Sequence, residues 1–168
     1  MSESLVNTKR RIATIRSTKK ITKAMKLVAS VKYQRYKKIY EENKAYSTHM
    51  KDAMLRTLSS IDFDSLELPP ILKSPSKGKK LFIVISSTLG LCGAYNYNLF
   101  KTLDPQIKEE DELLLIGQKA LGHYSQSTNK LYTDYVDLLD KLSYSAVRRL
   151  RHFVLRLYKT GNYSKIIL

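Results

Sequence analysis

The stretch from Leu5 to Leu58 contains neither glycine nor proline. Those residues are the principal helix breakers, so a span this long without either constrains the chain towards one continuous helix. Apolar residues fall at Leu5, Ile12, Ile15, Ile21, Met25, Val28, Val31, Tyr36, Ile39, Tyr46, Met50, Met54 and Leu58. Most steps are three, four or seven, the spacing of a helical stripe. The step from Ile15 to Ile21 breaks the heptad, with Thr18 or Lys19 where an apolar residue belongs. A helix of about 54 residues is roughly 80 Å long, more than a small domain can span. It must lie against something else, most simply an antiparallel partner helix in a coiled coil.

Charge sharpens the question of what that helix meets. The formal net charge is +15. Residues 1–58 hold fifteen Lys and Arg against four acids, Glu3, Glu41, Glu42 and Asp52. Between Lys9 and Lys38 there is no acid at all. A face that needs only solubility mixes signs and forms i, i+4 ion pairs. This one repels itself unless anionic partners offset it, and nucleic acid, lipid headgroups and acidic protein surfaces all fit. The scarcity of Glu also argues against a self-paired coiled coil with ion pairs at its flanks.

Residues 59–80 contain three of the four prolines together with several Ser and Lys, and read as a connector. LFIVISS at 81–87 is a β-branched apolar run without alternation, which predicts a buried parallel strand. TLGLCGA then turns into a helix expected over Asn96–Leu103, stopped near Pro105. ELLLIG at 112–117 predicts a second strand, and QKALGHYSQ a short helix. The order of the segment that follows is not legible. Residues 141–161 form a clear amphipathic pattern, with Leu142, Ala146, Leu150, Phe153, Val154, Leu157 and Tyr158 on one side and Gly161 as the C-cap. SKIIL at 164–168 begins another strand. Ending inside an apolar strand fits two readings, a strand that closes a sheet or a chain cut short. The fold class expected is α/β: a shaft helix over 1–58, a linker over 59–80, and over 81–168 a small Rossmann-like three-layer domain with a mainly parallel sheet.

The residues give little support for catalysis. GLCG lacks the lysine and hydroxyl of a Walker loop and the third glycine of a dinucleotide turn. Gly90 and Gly93 are better explained as allowing a tight turn from strand to helix. Cys92 is the only cysteine, so no intrachain disulfide can form. That fits a reducing compartment. His49, His123 and His152 fall in different elements, so no Cys–His pair or metal site is indicated, and Cys92 reads as a buried structural residue. Asp134, Asp137 and Asp140 could share a helix face and read as a solvated acidic surface. The run Glu109–Glu112 reads as an exposed approach to a strand. No cofactor is expected. No apolar run approaches the roughly 20 residues that cross a bilayer. The start MSESLVNTKRR lacks the apolar core of a secretory signal, and Glu3 with the early helical periodicity argues against a transit peptide.

Three stretches resemble a known family. RIATIRSTKKITKAMKLVAS at 11–30 is similar to the N-terminal helix signature of the gamma subunit of rotary F-type ATP synthases. LFIVISSTLGLCGAYNYNLF at 81–100 resembles that family's strand, GLCG turn and Asn-containing helix, and LLLIGQKA at 113–120 its next strand and Ile-Gly-x-Lys turn. The likeness spans essentially the whole chain. Two features depart from it. Thr88-Leu89 stand where the family has an Asp-Arg pair before GLCG. Family members also continue past the position of Leu168 into a long helix that pairs antiparallel with the first. The sequence is therefore either a fragment or a short homologue whose partner helix comes from elsewhere.

The resemblance implies a non-catalytic central stalk inside a ring of alpha and beta subunits, with ATP chemistry on beta. The globular domain would dock with the epsilon subunit on the c-subunit ring, so that membrane contact is indirect, at the cytoplasmic face of a bacterial plasma membrane. By position in the matching motif, Lys20, Lys23, Met25 and Lys26 are the residues expected to contact beta, although Met25 fits the seam equally well. Gly90, Cys92 and Gly93 would form the structural turn. Two alternatives stay open at this point: the rotor of a specialised ATPase not coupled to proton flow, and a basic coiled coil that binds nucleic acid. No nucleic-acid module is identifiable, which counts against the latter.

Overall fold

The computed structural model describes residues 2–61, 77–140 and 142–168. The chain divides into two compact units, the first carrying the long helix and the second the sheet. The helix, α1, runs Ser2–Ser59 without interruption. Its threonines do not compete with it: the hydroxyls of Thr14, Thr18 and Thr22 each donate to the carbonyl four residues back, at 3.0, 3.0 and 2.9 Å. Within α1, Lys37–Glu41 and Lys38–Glu42 form exposed i, i+4 pairs at 3.8 and 3.9 Å. Most of the connector expected over 59–80 lies outside the described residues.

The second unit is built as the strand and helix patterns predict. Strands β1 (Lys79–Ile85), β2 (Glu112–Ile116), β3 (Lys130–Tyr132) and β4 (Tyr163–Ile167) form one sheet in the order β3-β2-β1-β4. Every pairing is parallel, with Leu81 opposite Glu112 and Ile85 opposite Ile116 in the central pair. The helices are α2 (Tyr95–Leu103), α3 (Gln118–Tyr124) and α4 (Tyr144–Lys159). Pro105 opens a 3-10 turn at Asp104–Gln106, directly after α2.

Both faces of the sheet are buried, which explains why β1 and β2 read as unbroken apolar runs. Phe82, Val84, Leu113 and Leu115 point to one side, against Leu99, Phe100 and Leu103 of α2 and Ala120, Leu121 and Tyr124 of α3. Leu81, Leu114, Ile116 and Tyr163 point to the other, against Leu150, Phe153, Val154 and Leu157 of α4. α4 is held at both ends: the Ser143 hydroxyl accepts from the Ala146 amide at 3.3 Å, and Gly161, at φ 74°, donates to the Tyr158 carbonyl.

Two expectations are corrected, and one open segment is resolved. The acidic run is not exposed at its end, because Asp111 and Glu112 are 2% and 4% accessible. Asp134, Asp137 and Asp140 are exposed, but they sit on consecutive turns and not on a helix. The segment whose order was not legible contains β3, an edge strand of three residues, too short to show a period.

Candidate functional site

Lys20, Lys23 and Lys26 are exposed on α1. At 100° per residue they step round the helix by about 60° each and share one face. Together with Ala24, Leu27 and Ser30 they line a shallow groove along that face. Met25 is not brought to it. It lies about 160° from Lys23, on the side of Ile21 and Val28. These apolar residues are all uncovered, with Ile21 59%, Met25 46% and Val28 56% accessible, so the apolar stripe of α1 has no partner among the described residues.

The three lysines therefore sit opposite Ile21, Met25 and Val28, whereas Ile15 lies on their own side, beside Lys19, Lys23 and Lys26. Thr18 stands in the gap that the sequence shows between Ile15 and Ile21, with Thr14 and Thr22 one turn to either side. With each hydroxyl turned back onto its own backbone, the stripe crosses that gap without an unsatisfied polar group.

The turn after β1 is held by side chains. Asn96 is central: its Oδ1 accepts the Ser87 amide at 3.0 Å, and its Nδ2 donates to Ser87 Oγ at 2.8 Å and to Cys92 Sγ at 3.0 Å. The Tyr95 hydroxyl donates to the Ile85 carbonyl at 2.7 Å. Left-handed backbone falls on Leu91, at φ 60°, and on Gly93, at φ 61°. Gly90 has open space where a Cβ would stand. Cys92 is exposed, against the expectation of burial, because the turn projects beyond the sheet and aims the sulfur at Ser87 and Asn96 instead of the core. At Thr88, in the first of the two positions that depart from the family pattern, the hydroxyl is buried without a hydrogen-bond partner among the described residues.

A second polar centre was not anticipated. Glu112 sits at the start of β2, on the face that carries Leu114 and Ile116. It accepts from Lys79, from the Tyr163 hydroxyl, and from the Tyr132 hydroxyl at 2.7 Å. Lys130 stands 3.8 Å away. Burial by itself pushes the carboxyl up, but the bonds from Lys79, Tyr163 and Tyr132 outweigh it and hold Glu112 below the ordinary carboxylate range. Burial and the bond to Glu112 push the Tyr163 hydroxyl upward. Four strands thus meet at one carboxylate, a tie across the sheet and not a catalytic pair. Only the alternation that places Glu112 in register with Leu114 could have revealed it.

Residues 4–168 match the family model described as ATP synthase. The chain belongs to the ATP synthase gamma-chain family. A gamma chain of Mycoplasmopsis pulmonis (strain UAB CTIP) is 39% identical over 166 residues, covering 98% of this chain and 58% of that relative. A gamma chain of Clostridium botulinum (strain Eklund 17B / Type B) is 33% identical over 168 residues, covering 98% and 59%. One from Mycoplasma mobile (strain ATCC 43663 / 163K / NCTC 11711) is 33% identical over 159 residues, covering 93% and 55%. The chain spans less than three fifths of the length of these gamma chains. No helix among its described residues is long and apolar enough to cross a membrane.

Proposed function

We propose that the chain acts as the central-stalk rotor of an F-type ATP synthase, coupling ATP synthesis or hydrolysis in a ring of alpha and beta subunits to rotation and proton transport. The observation that carries this reading is α1 itself, in a chain of the gamma family: 58 residues of unbroken helix, dense in lysine and arginine, with Lys20, Lys23 and Lys26 opposite the uncovered Ile21, Met25 and Val28. An axle must be stiff, which excludes glycine and proline. It must grip a second helix, which requires the stripe. It must also turn past its neighbours. Attraction between lysine ammonium groups and surrounding carboxylates is non-directional and tolerates rotation, whereas interlocked packing does not.

In this reading the chain is non-catalytic, and ATP is handled on the beta subunits. Lys20, Lys23 and Lys26 face acidic loops of beta, and Met25 serves the seam or a beta contact. Gly90, Cys92 and Gly93 shape the turn that carries α2. The sheet domain docks with epsilon on the c ring, at the cytoplasmic face of the plasma membrane, without entering the bilayer.

The test uses the chain co-expressed with its alpha and beta subunits. Co-purification in one complex is expected, and a lone monomer in gentle lysates counts against the reading. Lys20→Gln, Lys23→Gln and Lys26→Gln together are expected to lower ATP turnover and torque of the assembled complex several-fold. Turnover and torque left untouched would overturn the coupling role.

A further inference from the structure

We propose that the outer side of α4 is a docking groove for an acidic protein segment bearing an apolar anchor residue. From Lys141 to Leu168 the chain carries seven lysines and arginines and no acid. The apolar side of α4 is spent on the sheet, so its cations are gathered on the opposite side. Arg148, Arg151, Arg156 and Lys159 are exposed there, and with His152 beside them they line a groove of 720 Å³ floored by Tyr135, Phe153 and Leu155. No ion pair joins these cations to a carboxylate among the described residues. Arg149 lines this groove as well, and also a smaller cavity with Asp134 and Asp137.

The chemistry selects the occupant. Four of the cations that line the groove are arginines, whose planar forks match carboxylates with two hydrogen bonds each. Arg148, His152, Arg156 and Lys159 follow one another in steps of four, four and three along one side of α4, with Arg151 three residues from Arg148, a line that an acidic helix can follow. The surface is concave with an aromatic and aliphatic floor, which receives a side chain; a bilayer offers a flat sheet of headgroups. The floor is also a poor platform for bases. Phe153 already meets the Tyr132 ring at 5.2 Å and the Tyr135 ring at 5.6 Å, with the Arg156 guanidinium over it at 5.6 Å. The groove lies on the unit that carries the sheet, and the inference does not depend on the role of α1.

The experiment measures fluorescence anisotropy of a labelled helical peptide, with glutamates three and four residues apart flanking one leucine, titrated with the full chain. Arg148→Gln, Arg151→Gln and Arg156→Gln together are expected to weaken binding about eightfold, roughly twofold for each exposed ion pair. Lys44→Gln, Lys51→Gln and Arg56→Gln, which remove the same charge from α1, are expected to change it less than about twofold. Leu155→Glu, which places a like charge in the floor, reproduces the loss. Circular dichroism confirms that each variant is folded. Equal weakening by the two triple variants overturns the proposal, since attraction would then follow net charge alone. It is also overturned if the α4 triple leaves the peptide affinity unchanged while abolishing binding to phosphatidylglycerol vesicles or to an oligouridylate.

Discussion

The Ser86 hydroxyl, at the end of β1, accepts the backbone amide of Ala120 at 2.8 Å. It thereby caps α3 from a neighbouring strand, because the residue in the N-cap position, Gly117, has no side chain to do so. Both partners are buried, with Ser86 1% and Ala120 0% accessible. Ser86→Ala leaves an amide without a partner in a dry site, and is expected to cost about 1–2 kcal/mol of stability. Urea denaturation followed by circular dichroism measures it, and an unchanged midpoint would refute the capping role.

The same junction fixes Gly117. Its φ is 95°, and a Cβ there would stand 2.2 Å from the Ser86 carbonyl oxygen, a backbone atom that cannot swing away. Gly117→Ala is therefore expected to lose at least about 3 kcal/mol. Gly122, inside α3, has nothing within 4 Å of its virtual Cβ, and Gly122→Ala is expected to gain about 0.5–1 kcal/mol. Opposite signs for these two substitutions, read as shifts in melting temperature, check the geometry.

Glu112 makes stability depend on acid in one direction. Its carboxyl lies below the ordinary range in the folded chain, because the bonds from Lys79, Tyr163 and Tyr132 override the effect of burial. The folded state therefore binds that proton less readily than the unfolded state. The resulting stability is fully present above the ordinary carboxylate value and is lost as pH falls through the depressed one. Glu112→Gln is expected to cost about 1–3 kcal/mol at neutral pH, where Lys79 loses its charged partner. The gap between wild type and variant should narrow as pH falls below the ordinary carboxylate range and through the depressed value. A gap that widens on acidification would contradict the assignment.

Salt should order α1. Between Lys9 and Lys38 no acid offsets the cations, so like charges three and four residues apart repel along the isolated chain. Raising the ionic strength to about 1 M shortens the screening length to about 3 Å and relieves that repulsion. Ellipticity at 222 nm is expected to deepen with added salt and the melting curve to move upward. A helix stabilised mainly by its two i, i+4 pairs, Lys37–Glu41 and Lys38–Glu42, would weaken instead.

The sequence by itself determined the elements whose cause is local. Fifty-four consecutive positions without a breaker make α1, because helix formation is a property of neighbouring residues. Apolar runs between turn residues make β1 and β2, and the amphipathic period with Gly161 beyond it makes α4. The grouping of Lys20, Lys23 and Lys26 on one face follows from the same periodicity. Only the tertiary structure decided what depends on distant partners. β3 is three residues at an edge and exists because β2 pairs with it. Asp111 looks like part of a solvated run, yet it is buried because the amides of Lys80 and Lys108 both donate to it. Glu112 is buried because residues 33 before and 51 after it converge on its carboxylate. Cys92 is exposed because the turn that carries it leaves the sheet. Burial of a charge is set by what the fold brings to it, and that information is spread along the chain where no local pattern can register it.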